Sequence, residues 1–526
     1  MKWPRWVVLV AILTLATLLR WIPGGSASLG VDDGVAILHA SRPLVDIMPS
    51  MVASHEVHPP LYFYYLHLWV GFLHVGCFRD DTSALDAWMH LSSLPWALAV
   101  VYLTWCLGDR LGGRSVAVAS SLLVATSDFL AYYALEVRMY SMLTVLVLCA
   151  ALAVHRRKPW SAAAWMLVAF LTQYEALFYM VAIATFLVLD ARATRKWGDL
   201  RPWLVPASVV GALVLAWSPL LLSQANLQMF SLRPPPSWPE AVELVFELGC
   251  GVTWPFPLPH WYGALAPLKW LGLLTLLGYA GGLARASAEA RRMLASLVGG
   301  AVLMSFAVST LTTMRVFEYK YFQPVVPFLC IALGFWAVPS VAPASDANRM
   351  RRVLGTSRGW GPVALVIAVN LAAWAQFNER PSWYGPQDWR RVTRLVAGSV
   401  RPGDLVLVNP SMMAASVMVY AAYSDLKLLD LRPAVAGAFG GIVPIDTPGD
   451  RFRGVLRHAR RVWFVTTPNH PLVGRTRLLD HVPADWKIQM VDRIHSFWPA
   501  NRIWVLLLER GQAPRVRPRA NASAFH

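Results

Sequence analysis

Residues 60–76, PLYFYYLHLWVGFLHVG, are long and apolar enough to cross a bilayer, and the fold turns on whether they do. Elsewhere, apolar runs recur near residues 6–22, 88–107, 115–131, 138–154, 160–173, 175–190, 201–222, 261–283, 293–312, 322–340 and 360–376. Many have the roughly 17–22 residues that a helix needs to span the hydrocarbon layer. Eighteen Lys and Arg residues fall in alternate loops, from Lys2 and Arg5 to the group at 349–358. The intervening loops carry six: Arg42, Arg79, Arg138, Arg233, Arg315 and Lys320. Basic loops mark the cytoplasmic face, so the eleven runs alternate as eleven spans with the N-terminus inside. Counting 60–76 as a further span inverts every basic loop that follows. Its Tyr, Trp and His content also suits the membrane interface better than the hydrocarbon centre. The segment therefore reads as a juxtamembrane helix on the outer side, started by Pro59-Pro60.

Composition agrees with a bilayer. Of the 526 residues, 56% are hydrophobic and 25 are tryptophan, above the roughly 45–50% apolar content of soluble chains. The net charge of +17 is topological, because no nucleic-acid-binding motif accompanies the basic loops. Cys77, Cys106, Cys149, Cys250 and Cys330 lack CxxC spacing and read as small core residues, with Cys77–Cys250 the one disulfide considered. The N-terminus has signal-peptide character but reads as an uncleaved first span. After residues 1–378 the pattern changes. Strand-like runs (GDLVLVNP, RVWFVTT, WKIQMVDRI, RIWVLLLER) alternate with helix-like ones such as ASVMVYAAY, predicting a small α/β domain over 379–512 outside the membrane. The Pro/Arg-rich end, 513–526, reads as a disordered tail.

Ionisable groups near a bilayer are costly and therefore informative. Asp32, Asp33, His55, Glu56, His58, Asp128, Glu136, Arg138, Glu175, Glu318 and Lys320 all fall at the outer boundary in this topology, and Arg20 and Lys269 lie close enough to span ends to snorkel. A transporter would place polar groups near the midplane; an enzyme working on a lipid-carried substrate at the surface would place them where these lie. Structural alternatives stand beside each. Glu136 and Arg138 can pair at a span boundary, Asp33 can stabilise a helix start, and Lys320-Tyr321 can anchor a span. His55, Glu56 and His58 could hold a divalent metal with Asp33, but HEVH lacks the HExxH spacing. There is no Gly-rich phosphate loop, GxSxG elbow or cofactor fingerprint.

Taken in order along the chain, these segments resemble the GT-C fold membrane glycosyltransferases of the protein O-mannosyltransferase and aminoarabinose-transferase-like superfamily. The resemblance rests on Asp32-Asp33 after the first span, His58-Pro59-Pro60-Leu61-Tyr62, Glu136-Val137-Arg138-Met139-Tyr140, Lys320-Tyr321 with Pro327, and Asp388-Trp389-Arg390 followed by Pro402-Gly403-Asp404. The sequence departs from that pattern at Asp33 (usually Glu), Gly34 and Val35, Gln173 (often His) and Lys320 (usually Arg).

The resemblance implies a polytopic α-helical GT-C membrane domain with juxtamembrane helices and an extracytoplasmic α/β domain, in the plasma membrane. It implies transfer of a sugar from a polyprenyl-phosphate carrier to a glycan, glycolipid or protein acceptor, with no nucleic acid and no required cofactor. It points to Asp32 as the base, with Asp33 and Glu136 as further catalytic candidates. An alcohol titrates far above neutral pH, so its attack on an anomeric carbon needs a carboxylate in reach. The leaving phosphate needs cations, for which Arg138 and Lys320 are candidates. His58, Tyr62, Tyr140 and Tyr321 complete the expected substrate-binding set. One base acting opposite the leaving group implies inversion. A transporter or flippase, or a non-catalytic assembly partner, are the competing readings.

Overall fold

Helices occupy every apolar run that charge parity singled out. The computed structural model describes residues 3–24, 27–54, 56–72, 82–225, 235–239, 244, 268–312, 314–337, 349–378, 388–409, 413–423, 442–444, 450–467, 478–494 and 502–511. The chain divides into two compact units, one of residues 1–24, 42–67 and 89–379, the other of 25–41, 68–88 and 380–526. The second thus takes two early segments that the sequence reading placed with the membrane part.

The first unit is helical. Its long helices are Arg5–Gly24, Leu94–Thr126, Tyr140–His155, Pro159–Thr172, Ala176–Thr194, Arg201–Ala225, Leu268–Arg285, Ala288–Leu311, Val325–Gly334 and Arg349–Asn378. Helix starts follow local chemistry: Pro95 and Pro159 sit in first turns, and Ser287 Oγ accepts the Ala290 N–H at 3.2 Å. The runs 88–107 and 115–131 are joined by a tight break at Gly113, whose φ of +77° favours glycine, inside the continuous assignment Leu94–Thr126. Five helical stretches among the described residues are long and apolar enough to cross a membrane: Arg5–Ile22, Thr82–Thr126, Ala176–Thr194, Trp197–Gln224 and Ala288–Leu311. With the fold reported below, they make this a membrane protein.

Small residues let these helices approach closely, as expected where lipid removes the hydrophobic drive between them. A Cβ on Gly282 would lie 2.0 Å from the Ala332 carbonyl oxygen, and one on Gly300 would lie 3.0 Å from the Ala182 methyl. Arg20 does not snorkel. It is buried, donating to the carbonyls of Ala125 at 2.8 Å and Val124 at 3.0 Å, where the helix Leu94–Thr126 runs out of internal partners.

The segment 60–76 contributes a helix over Leu61–Val70. Its ten residues reach about 15 Å, half of what a bilayer crossing needs. Pro60 starts it, its carbonyl accepting from Phe63 at 3.0 Å and Tyr64 at 3.2 Å. Cys106, Cys149 and Cys330 are free thiols; Cys77 and Cys250 lie outside the described residues.

The second unit is built on a five-stranded sheet of order β2-β1-β3-β5-β4, where β1 is Leu405–Asn409, β2 Ile442–Pro444, β3 Arg461–Thr466, β4 Trp486–Ile494 and β5 Ile503–Arg510. β1 runs parallel to β2 and β3, and β5 antiparallel to β3 and β4. One face packs Leu405, Leu407, Val462, Phe464, Leu506 and Leu508 against Phe452 and Val455 of the helix Asp450–His458. Two motif segments do structural work here. Asp388 caps the helix Trp389–Ser399 by accepting the Arg391 N–H at 3.0 Å, and Asp404, after the positive-φ Gly403, accepts from Arg401 N–H at 2.9 Å and Trp463 Nε1 at 3.0 Å.

Candidate functional site

In the membrane unit the site grows from two irregular segments. The first precedes Pro59-Pro60. His58 is buried there, with its Nδ1 2.5 Å from Glu56 Oε1. Glu56 is held in turn, because Gln224 Nε2 donates to its backbone carbonyl at 2.5 Å and Tyr174 donates to Gln224 Oε1 at 2.7 Å. The second is the turn 134–139 between the helices Asp128–Tyr133 and Tyr140–His155. Ser93 Oγ fixes it by donating to the Glu136 carbonyl at 2.7 Å, and the His90 ring meets the Leu135 carbonyl. Arg138 projects from this turn, 5% exposed, its Nη2 3.3 and 3.4 Å from the two ring nitrogens of His58.

Arg138 Nη2 is nearly equidistant from the two ring nitrogens, so the guanidinium lies against the face of the imidazole. Glu56 accepts the Nδ1–H, which leaves Nε2 unprotonated in the neutral ring. Burial pushes the His58 pKa below the ordinary 6.5, and the Arg138 charge pushes it the same way against Glu56. The imidazole is neutral, and Arg138 keeps its full charge beside it.

Lys320 brings a second cation to the same neighbourhood. Its Nζ lies 3.3 Å from Glu318 Oε2 and 5.3 Å from the centre of the Tyr321 ring. Its charge is felt at His58, Glu175 and Tyr133. Tyr133, Tyr140 and Tyr321 form an edge-to-face chain with centroids 5.7 and 6.4 Å apart. Burial holds the phenols of Tyr133 and Tyr321 well above their ordinary values, so both stay protonated and able to donate. Tyr62 is buried, with ring contacts to Phe63 and Tyr65. Glu136 is half-buried near Tyr133, and Gln173 is buried beside Glu175. Of the expected residues, the structure therefore brings together His58, Arg138, Tyr140, Lys320 and Tyr321. Two oriented cations, a neutral imidazole and protonated phenols suit a phosphate group.

The acidic pair lies in the other unit, at the start of the helix Val31–Ala40. Asp33 is buried and its Oδ2 accepts the Gly30 N–H at 2.8 Å, so it reaches back to the helix start. Asp32 is exposed. The replacement at Gly34 has a packing cause: a Cβ there would lie 2.6 Å from the Ser416 backbone nitrogen. No group of three or more His, Cys, Asp and Glu side chains suited to a metal occurs among the described residues, and His55 lies outside them.

Sequence reasoning missed Glu56 as the partner that sets the His58 tautomer, and the Gln224–Tyr174 brace behind it. Their separation of 50 residues leaves no local signal.

The fold is GT-C. Among solved structures the chain resembles ArnT from Cupriavidus metallidurans in the apo state, with a TM-score of 0.56, 15% identity, and 95% of this chain and 97% of that one covered. ArnT bound to undecaprenyl phosphate gives 0.55, 15%, 95% and 98%. Archaeal oligosaccharyltransferase AglB from Archaeoglobus fulgidus, in complex with an inhibitory peptide and a dolichol-phosphate, gives 0.47, 11%, 88% and 69%. No protein-family model and no curated protein matches the chain.

Proposed function

We propose that this protein is an inverting glycosyltransferase that moves a sugar from a polyprenyl-phosphate carrier to an acceptor on the extracytoplasmic face of the membrane. The observation that carries the proposal is the pairing of buried Arg138 with neutral His58, near Lys320, in a fold shared with a protein solved bound to undecaprenyl phosphate. In this reading Arg138 and Lys320 bind the phosphodiester and offset the charge that develops as the bond from phosphate to the anomeric carbon breaks. Tyr140 and Tyr321 line the sugar–phosphate region. Asp32 takes the proton from the acceptor hydroxyl, whose oxygen attacks the anomeric carbon, and polyprenyl phosphate leaves. Asp33 is left to the helix start and Glu136 to its turn. The basic loops face the cytoplasm, and the sheet-bearing domain lies outside.

A strain lacking the protein tests this directly. It should accumulate a polyprenyl-phosphate sugar and lose one envelope glycan. Re-expression should reverse both, whereas Asp32→Asn at equal membrane abundance should reverse neither. A strain in which no lipid-linked sugar accumulates, or full rescue by Asp32→Asn, would overturn the reading.

A further inference from the structure

The segment carrying Asp32 is unusually well tied within its own unit. Tyr420, on the helix Ala414–Tyr423, sits at the hub of the ties. Its hydroxyl accepts the Leu29 N–H at 2.9 Å, lies 3.0 Å from Ser28 Oγ and donates to Asp86 Oδ1 at 2.5 Å. Asp86 is wholly buried, and its other oxygen lies 3.0 Å from Arg390 Nη1. Arg390 closes the loop by donating its backbone N–H to Ser28 Oγ at 3.1 Å. One turn earlier on the Tyr420 helix, Ser416 Oγ donates to the Gly30 carbonyl at 2.9 Å, and Gly34 packs on the Ser416 backbone. Residues 28, 29, 30 and 34 are therefore all held by the C-terminal domain, while Asp32 among them is exposed.

A buried acid bonded to a phenol and an arginine is costly to assemble, and one domain's core does not need it to fold. Its yield is a fixed start for the helix Val31–Ala40. We infer that Tyr420, with Asp86 and Ser416, positions Asp32 for the transfer reaction, so that the α/β domain serves as the mount of the acidic helix. The inference rests on the proposed role of Asp32 as base. Oriented catalytic groups account for large rate factors, and misplacement by about 1 Å can cost on the order of a hundredfold. Tyr420 makes no contact with reacting atoms in this scheme; it acts through the backbone of residues 28–30.

Tyr420→Phe removes the hydroxyl and keeps the ring. In the full-length protein, amide exchange over residues 28–36 should accelerate while that of β1 and β3 stays unchanged. With polyprenyl-phosphate sugars extracted from the deletion strain as donor, kcat should fall about ten- to hundredfold. Binding of undecaprenyl phosphate itself should be unaltered. Should Tyr420→Phe fail to accumulate, Ser416→Ala, which removes only the bond to Gly30, should show the same pattern more weakly. Unchanged exchange over 28–36, exchange that loosens the sheet equally, or a kcat within about twofold of wild type would overturn the positioning role. A wild-type protein with no transfer, or an active Asp32→Asn, would instead sink the base assignment, and the exchange measurement still decides whether Tyr420 fixes this segment.

Discussion

Two clusters of arginine and carboxylate occupy the membrane unit, near opposite ends of the helix Ala176–Thr194. At one end Asp190 is fully claimed: Arg157 Nη2 lies 2.7 Å from Oδ2, and Arg292 reaches Oδ1 through Nη2 at 2.6 Å and Nε at 3.2 Å. At the other, beside Glu175 and about 22 Å away along the helix, buried Arg138 faces a neutral histidine, and Lys320 shares its surroundings with three glutamates and three tyrosines. In the first cluster both oxygens of Asp190 are taken by arginines. The second gathers two cations, a neutral imidazole and several tyrosines in one place, with Lys320 against Glu318 and the Tyr321 ring. The first set reads as an ion cluster that holds helices together, the second as the candidate phosphate site.

The sharpest way to break this comparison is to remove Arg138. Arg138→Met should reduce transfer by about a hundred- to a thousandfold, the usual cost of one donor to a developing charge. It should leave the unfolding midpoint in detergent close to that of wild type, because His58 keeps Glu56. A variant that transfers sugar normally would show that Arg138 binds no leaving group.

Asp190→Asn addresses the closed cluster and should do the reverse. Removing the charge between two partly exposed arginines should cost about 2 kcal/mol of stability, below the full penalty for a buried pair. Activity per folded molecule should be unchanged. Titration by calorimetry or by fluorescence in detergent reads the first quantity, and single-concentration assays on the surviving protein read the second. A kinetic defect without a stability defect would erase the distinction between the two ends.

A smaller effect comes from pH. Because the folded His58 pKa lies below 6.5, the unfolded chain binds a proton that the folded chain refuses as the pH falls below 6.5. Stability contributed by this site is therefore complete above 6.5 and declines as the pH falls through the window down to the folded value. The unfolding midpoint should drop on acidification, and His58→Gln, which still offers a donor and an acceptor, should flatten that drop. An equally steep profile in the variant would assign the effect to other groups.

How legible was this from the sequence? Apolar runs located the helices, since they are local features that bilayer energetics reads directly. In the run 60–76, which charge parity set apart from the spans, the helix Leu61–Val70 has only ten residues. The strand runs of the C-terminal domain were equally local, except β2, whose three residues carry no alternation. Partnership was the part hidden from view. Glu56 and His58 read as possible metal ligands because the sequence cannot show Arg138, 80 positions on, lying beside the ring. Gly34 read as a departure from pattern because its cause, the Ser416 backbone, is nearly 400 residues away. Tyr420 lay inside an apolar run whose period announced a helix and nothing more. Arg390, in Asp388-Trp389-Arg390, was the one member of that network with a motif to mark it, and Asp86 had none.

The mildest test concerns Lys320, which stands where the pattern that the sequence resembles usually has arginine. A lysine supplies a compact charge without a planar fork, and here it lies against Glu318 at 3.3 Å and over the Tyr321 ring. If its task is to lower the potential around a phosphate held chiefly by Arg138, fork geometry is dispensable. Lys320→Arg should then change transfer by no more than about threefold, while Lys320→Met should cost about tenfold and raise the KM for donor. If Lys320→Arg instead abolished transfer, the compact ammonium would be the contact that the leaving phosphate needs, and the two cations would have to exchange roles. The principal donor of the cluster would then sit on the turn before Val325–Gly334 and no longer on the turn before Tyr140–His155.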